Sequence, residues 1–582
     1  MTKHKQLIFS VGSLFLFNTL SAQNTSYPFY NEAAYHIVDR FDILYGDSQR
    51  LHTDQKGYKR KDVVKFIIDA DSTHQLSPRD KEDVRYILND NPDYLSHNPD
   101  EATSFTRKLV SEYASEDTLK KTTGFFKQFY RRPADLWFLD TKYFDIRISP
   151  VLNFQFGKDA KDTEGLIFNN TRGVIVHGSI DDRIYFYSDI LEMQERFPTF
   201  GTDFVKKYGG VPGTGFYKPY LSNLFKISDG YDFTTSQAYI GFDVSKHTNV
   251  QFGHGQQFLG DGIRSLMLSN FSGNYFFLRL NSNFGKFQYQ NIFAELSALN
   301  TTATGTSAPN ALWTKKYIAL HQLSYNVTPN FSVGAFEGIV FQGNQQLELR
   351  YLNPVIFFGT LTNSSDNALV GINAKWNFKK HFSVYGQFLF DDFNFKELIS
   401  DNKGSWQNKY SLQLGLKYIN VLGLDHLDAQ VEYNMVRPYT YTYTDNTTNY
   451  SNNLQPLAHP LGANFSEIIF RLRFQPTHKL VIEGRIITAD VGEDAAKKNY
   501  GNNILLNYNT RVSDYGNYVG QGVHCNITTV TLDASWQLYH NMFLTFQTYA
   551  RKKMSDDVTL NQNTFYVGGG LRVNFEMARP QF

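Results

Sequence analysis

The sequence predicts an all-β transmembrane antiparallel barrel of about 18 strands with an N-terminal periplasmic α-helical bundle. Three observations carry this. From Tyr143 onward, apolar and polar side chains alternate with a period of two. The connections between these runs are short and long in turn. Beyond the extreme N-terminus no apolar run reaches the ~18 residues that a membrane helix needs, so a membrane-embedded form of this chain must close its backbone bonds in a barrel. Composition agrees. Aromatic residues make up 16%, with 50 Phe and 37 Tyr, against 19% charged residues, which suits strands facing lipid at one residue and water at the next. A net charge of +1 offers no basic field to nucleic acid.

In chain order, Lys3 and Lys5 precede the apolar stretch Leu7 to Phe17, and Leu20-Ser21-Ala22 before Gln23 forms a small-residue cleavage site, so residues 1–22 are expected to be a signal peptide. No Cys follows that site, which excludes a lipoprotein anchor there, and Cys525 is the single cysteine, which excludes an intramolecular disulfide. Residues 23–142 read as a helical region. Ala34, Val38, Phe41 and Leu44 have helical spacing within Asn31–Leu44, as do Val63, Phe66, Ile67 and Ala70 within Asp62–Ala70. Ser77-Pro78-Arg79-Asp80 has the form of a helix start, with Val84, Ile87 and Leu88 as its buried stripe. Asp100 to Ala114 is expected to be a further helix, and short helices of this kind need one another as a bundle.

Residues 143–582 read as the barrel. The expected strands are Tyr143–Gly157, Gly165–Ile180, Arg183–Phe197, Gln237–Lys246, Asn249–Leu259, Asn274–Ser282, Lys286–Leu299, Lys316–Val327, Asn330–Gln342, Leu369–Lys379, Phe382–Phe393, Lys409–Tyr418, Leu427–Pro438, Phe465–Gln475, Lys479–Asp490, Thr528–Leu538, Met542–Lys552 and Thr564–Phe575. Ile468, Phe470, Leu472 and Phe474 share one face of their strand, and Glu467, Arg471, Arg473 and Gln475 the other; charges on that second face suit a wet lumen. Short turns such as Asp181-Asp182, Lys380-His381 and Tyr539-His540-Asn541 alternate with long segments such as 198–236, 260–273, 439–464 and 491–527. The short side is expected in the periplasm with the helices and the C-terminus, and the long loops outside. Phe582 has the character of a barrel-closing terminal aromatic, with Phe575 as the alternative.

Several strings resemble the capsule-assembly Wzi family in its Bacteroidetes form, the branch that includes gliding-motility RemB-like proteins. They are Gly253 to Ser269 (GHGQQFLGDGIRSLMLS), Tyr351 to Phe357 (YLNPVIF), Glu432 to Tyr441 (EYNMVRPYTY), Leu454 to Asn464 (LQPLAHPLGAN) and Tyr58 to Asp62 (YKRKD). The resemblance spans nearly the whole mature chain. It implies an 18-stranded barrel with a periplasmic bundle, and a lectin-like protein that binds or anchors surface (capsular) polysaccharide. Its gliding-motility branch points instead to a motility or adhesion apparatus with another cell-surface or periplasmic protein as partner. A solute channel is the remaining alternative. Outer-membrane lipid surrounds the barrel in every case.

No residue pattern calls for a cofactor or a metal. His254 with Ser265 or Ser269 lacks an orienting third group and a nucleophile elbow, so an enzyme is not expected. Asp391-Asp392 and Asp556-Asp557 read as solvated pairs. Sugars are gripped by aromatic faces and by side chains with paired hydrogen bonds. The candidate ligand-binding residues are therefore Arg437, Tyr439, Tyr441, His459, Asp261 and Arg264. Within this set Asp261 is also a turn residue that Arg264 anchors, and His459 a structural loop residue. Loop 491–527 adds Tyr500, Asn502, Asn503, Tyr508 and Tyr515. By parity Arg437 would face lipid, so it is expected to lie above the membrane or beside a bulge.

Overall fold

The computed structural model describes residues 25–28, 31–46, 51–92, 125–130, 132–141, 143–162, 165–181, 183–222, 227–298, 314–342, 348–355, 366–391, 403–445 and 447–582. The expected signal peptide and the expected helix Asp100–Ala114 lie outside these residues.

Strands β1 (Phe144–Asp159), β2 (Ile167–Ile180), β3 (Ile184–Arg196), β4 (Ile227–Asp243), β5 (Thr248–Gly255), β6 (Tyr275–Phe284), β7 (Phe287–Ser297), β8 (Lys315–Thr328) and β9 (Phe331–Phe341) form the first half of the sheet. Strands β10 (Asn367–Phe378), β11 (Phe382–Asp391), β12 (Tyr410–Tyr418), β13 (Leu427–Val436), β14 (Phe465–Thr477), β15 (Leu480–Glu493), β16 (Val523–Tyr539), β17 (Met542–Ser555) and β18 (Gln562–Val573) complete it. Each pairs antiparallel with its neighbour, and β18 returns to β1 in the register Leu152↔Val573 to Asp159↔Tyr566, so these 18 strands close on themselves. Two short strands, Trp137–Asp140 and Lys218–Ser222, bring the sheet to 20.

The wall has the phase that the alternation predicts. On β14, Ile468, Phe470 and Leu472 are 48, 39 and 37% exposed, whereas the inward Glu467 is 1% exposed. Apolar side chains point outward all around, including Ile240, Phe252, Phe276, Ile372, Trp376, Leu414, Val530 and Trp536. Such an exterior is a lipid-facing belt. Two strands reach well past the alternating stretch. β4 begins at Ile227 rather than Gln237, and β16 at Val523 rather than Thr528. These extensions pair with β3 (Glu195↔Tyr231) and β15 (Glu493↔Val523), beyond the expected lipid zone, where nothing forces alternation. The stretch Gln256–Leu259 leaves the sheet and turns inward.

Helices α1 (Glu32–Tyr45), α2 (Arg60–Thr73) and α3 (Pro78–Asp90) pack around Val38, Phe41, Val63, Phe66, Ile67, Val84, Ile87 and Leu88. Asn31 caps α1 by accepting the Ala34 amide at 3.1 Å, and Ser77 caps α3 by accepting that of Asp80 at 3.1 Å. The bundle sits on the short-turn end of the barrel. Arg40 donates to Asp428 at 2.7 Å, Arg79 to the Pro476 carbonyl at 2.7 Å, and Asn541 to Asp90 at 2.9 Å. Within the expected loop 198–236 a fourth helix, α4 (Thr199–Tyr208), forms because it buries Phe204 and Val205 and ends on Gly209 in the left-handed region (φ 70°).

Candidate functional site

The lumen is filled by the protein's own chain. From the long-loop end, segments 256–274 and 439–464 descend into the barrel. There Leu266, Met267, Leu268, Tyr441, Tyr450, Leu457 and Ala458 join inward wall residues in one apolar core. From the helical end, Thr53 to Gly57 meets them: Gln55 bridges to Leu259, and Asp54 accepts from Ser324 and Asn373. Segment 256–274 is tied to the wall through Glu432 of β13. Its carboxylate accepts the backbone amides of Ile263 and Arg264 at 2.7 and 2.9 Å and the Tyr385 hydroxyl at 2.6 Å. This approach needs Gly262, because a Cβ there would lie 2.5 Å from a Glu432 oxygen.

The six candidate residues are divided by the structure. Arg264 and His459 converge on Glu467, Arg264 at 3.1 Å and His459 at 2.8 Å. His459 is fully buried and tilted over the Phe465 ring, and burial pushes its imidazole below the ordinary value against the pull of Glu467. Tyr441 donates to the Leu266 carbonyl at 2.7 Å, and Tyr439 to that of Asn499 at 3.0 Å; both are fully buried. Their backbones sit at φ 70° and 67°, a conformation that costs a non-glycine residue about 1–2 kcal/mol and is held here by that burial. Asp261 stands apart, accepting from Thr53 at 2.7 Å with Lys375 at 3.4 Å. Arg264, His459, Tyr441 and Asp261 belong to the internal cork, and Tyr439 ties its segment to the long loop at Asn499 and Gly501. Arg437 lies one residue past the end of β13, clear of lipid, and donates to the carbonyls of Asn408 at 2.8 Å and Asn517 at 3.2 Å.

Through those bonds Arg437 underpins the long-loop face. Segments 403–408 and 511–522 are tied by Asn517 to Gly404 (2.9 Å) and Trp406 to Asp514 (2.9 Å). On this frame the Trp406 and Tyr508 rings stand 4.9 Å apart, and the Arg511 guanidinium lies 4.1 Å over Trp406. Tyr515 and Tyr518 project beyond them, 52 and 64% exposed. The result is a held group of aromatic faces with a guanidinium and amides beside them, the chemistry that sugars require. Tyr508 and Tyr515 were among the loop residues that the sequence offers. Trp406, Arg511 and Tyr518 were not, because only the tertiary pairing of the two segments brings them together.

Residues 574–582 form a further feature that the sequence does not signal. The last strand ends at Val573, and the chain then turns into the lumen. Arg579 pairs with Asp533 at 2.6 Å, Glu483 at 3.4 Å and Glu32 of α1. The Phe582 ring packs 4.6 Å from Phe204 of α4, and Arg551 donates to the Phe582 carbonyl at 3.1 Å. Phe582 is therefore an internal packing residue and not a lipid-facing one. Above this segment a cavity of about 430 Å³ is lined by Gln155, Asn169, Glu195, Arg264, Tyr549 and Tyr566 among others.

The catalytic and metal alternatives have other occupations. Ser265 donates to the Leu259 carbonyl, Ser269 to that of Ala458, and the His254 ring bonds the Ser236 carbonyl at 3.1 Å. Asp80, Asp425 and His426 cluster as metal ligands would, but Arg40 supplies the positive charge there, 3.1 Å from Asp80 and 3.8 Å from Asp425. Asp391 is buried against Lys409 at 3.5 Å, and Asp557 accepts from the Thr559 amide at 3.0 Å.

A family model described as capsule assembly protein Wzi matches residues 111–565. Among solved structures, the chain is similar to Wzi of Escherichia coli, described as an outer membrane protein involved in group 1 capsule assembly and a carbohydrate-binding β-barrel. The TM-score is 0.54 at 12% identity, covering 96% of this chain and 100% of that one. It is also similar to OprD of Pseudomonas aeruginosa (TM-score 0.41, 12% identity, 73% of this chain and 94% of that one). OccAB2 of Acinetobacter baumannii gives 0.40, 11%, 75% and 99%. No curated protein sequence matches the chain.

Proposed function

The chain belongs to the capsule assembly protein Wzi family, and from that premise we propose that it is a non-enzymatic outer-membrane anchor that holds surface polysaccharide on its long-loop face. One observation carries this reading. The lumen is occupied by the chain's own loops, N-terminal segment and residues 574–582, so the barrel serves as a pedestal and the contact chemistry falls to the face it presents. That face offers Trp406, Tyr508, Tyr515 and Tyr518 with Arg511. The carbohydrate-binding description of the Escherichia coli barrel supports the same assignment. In this reading the signal peptide exports the chain, the helical end faces the periplasm and the long loops face outward. Arg437 and Tyr439 act as positioning residues beneath the face, and the cork residues Arg264, His459, Tyr441 and Asp261 keep the pedestal closed.

The test is retention on cells. A strain lacking the protein is expected to shed its surface polysaccharide into the medium, and the full chain to restore retention. A chain carrying Trp406→Ala and Tyr518→Ala is expected to reach the surface and fail to restore it. Equal retention with and without the protein would overturn the assignment.

A further inference from the structure

A second cavity lies on the same flank of the lumen as the large one. It occupies about 80 Å³ between the start of α1 and the wall, with Arg471, Arg473 and Arg572 on its surface. The two cavities share three lining residues: Glu32, Phe575 and Arg579. The boundary between them is thus the Glu32–Arg579 ion pair with the Phe575 ring beside it. The far end of the large cavity is stoppered by Phe582, packed on Phe204, on Phe200 at 5.9 Å and on Phe271 at 6.2 Å. Both constrictions are therefore made by one segment, residues 574–582.

That segment is held differently from the wall. It has no ladder partner and is kept in place by the Arg579 ion pairs, by Gln547 to the Ala578 carbonyl (2.9 Å), by Arg264 to the Gln581 carbonyl (2.7 Å) and by Arg551 to Phe582. Side-chain bonds of this kind open locally at a small fraction of the cost of opening a closed sheet. The path they close is cationic. Around its narrow part Arg471, Arg473, Arg485, Arg572 and Arg579 face Glu32, Glu483, Glu576 and the Asp533 that pairs with Arg579, five guanidiniums against four carboxylates. Rings of excess arginine favour anions over cations in a pore.

We propose that this flank is a latent passage for small anions, closed at both constrictions by residues 574–582 and opened when that segment leaves the lumen. It adds a conditional transport activity to the anchoring role and does not depend on that role.

The experiment is planar-bilayer recording with potassium chloride. The full chain is expected to hold a closed baseline broken by brief openings. A chain ended after Phe575 is expected to carry a time-averaged current at least about tenfold higher, the size of a modest population shift, and to reverse on the anion-selective side in a salt gradient. Barrel folding is checked by heat-dependent migration on gels. A folded truncated barrel that carries no more current than the full chain overturns the proposal, and so does a cation-selective current. Should the truncated chain fail to fold, Glu32→Gln and Arg579→Gln in the full chain provide the test: each is expected to raise opening frequency, and unchanged frequency in both overturns the gate. A full chain that conducts steadily would overturn the gate and count separately against the closed pedestal.

Discussion

Arg40 is the residue on which the junction of helices and barrel turns. It is fully buried on α1 and faces Asp80 at 3.1 Å, Asp83 at 3.8 Å, Asp425 at 3.8 Å and Asp428 at 2.7 Å, residues from one other helix, one turn and one strand. Removing one partner from such a cluster leaves buried charge uncompensated, at about 3–5 kcal/mol. Arg40→Ala is therefore expected to free the bundle while the barrel stays closed. Hydrogen exchange should show protection lost across α1 to α3 alone; protection unchanged there would contradict the role. The same junction responds to acid. Burial lowers the His36 imidazole to about 4 from 6.5, and although burial pushes the Asp39 carboxyl up, Lys417 beside it holds it down at about 2 against 3.8. Both folded values lie below the unfolded ones, so their stabilisation is complete above the unfolded values and lost as pH falls through the folded ones. Helix protection is expected to weaken first from pH 6.5 towards 4 (His36) and again from 3.8 towards 2 (Asp39). A pH-independent exchange rate, after correction for intrinsic chemistry, would contradict this.

At the scale of elements, the strands were legible because lipid on one side and a polar interior on the other impose a period of two, as Ile468 to Phe474 display. The starts of β4 and β16 were not, since Ile227 to Ser236 and Val523 to Ile527 lie past the alternating stretch and read as loop. The cork was legible only as strings: the resemblance segments Gly253–Ser269, Glu432–Tyr441 and Leu454–Asn464 supply much of the chain that fills the lumen. Coil carries no periodicity, so nothing in those strings shows that they turn inward. Of the candidate residues chosen from them as ligand contacts, Arg437 and Tyr439 reach the long-loop segments and the others are packing residues inside the lumen. Tyr441 tests the cork as an element. Truncating a fully buried aromatic costs about 3–5 kcal/mol. Tyr441→Ala should expose segments 256–274 and 439–464 to protease while heat-dependent migration of the barrel persists. Resistance equal to the parent chain would mean that the cork does not depend on this packing.

At the scale of the whole molecule, the fold divides its tasks by region. The wall meets lipid, the helical end closes one mouth through Arg40 and Asp90, the cork and residues 574–582 fill the interior, and the long-loop face carries exposed aromatic chemistry. That face was half legible: Tyr508 and Tyr515 stand out in a polar strip, but Trp406 and Tyr518 come from separate segments, 403–408 and 511–522, that meet through Arg437, Arg511, Asp514 and Asn517. The most direct test is the binding of purified full-length protein to the surface polysaccharide of its own organism, measured by titration in detergent. Saturable binding is expected, and Trp406→Ala and Tyr518→Ala should each weaken it about tenfold, the effect of losing about 1.4 kcal/mol from one aromatic contact. No binding, or binding that neither substitution changes, would contradict the assignment of that face.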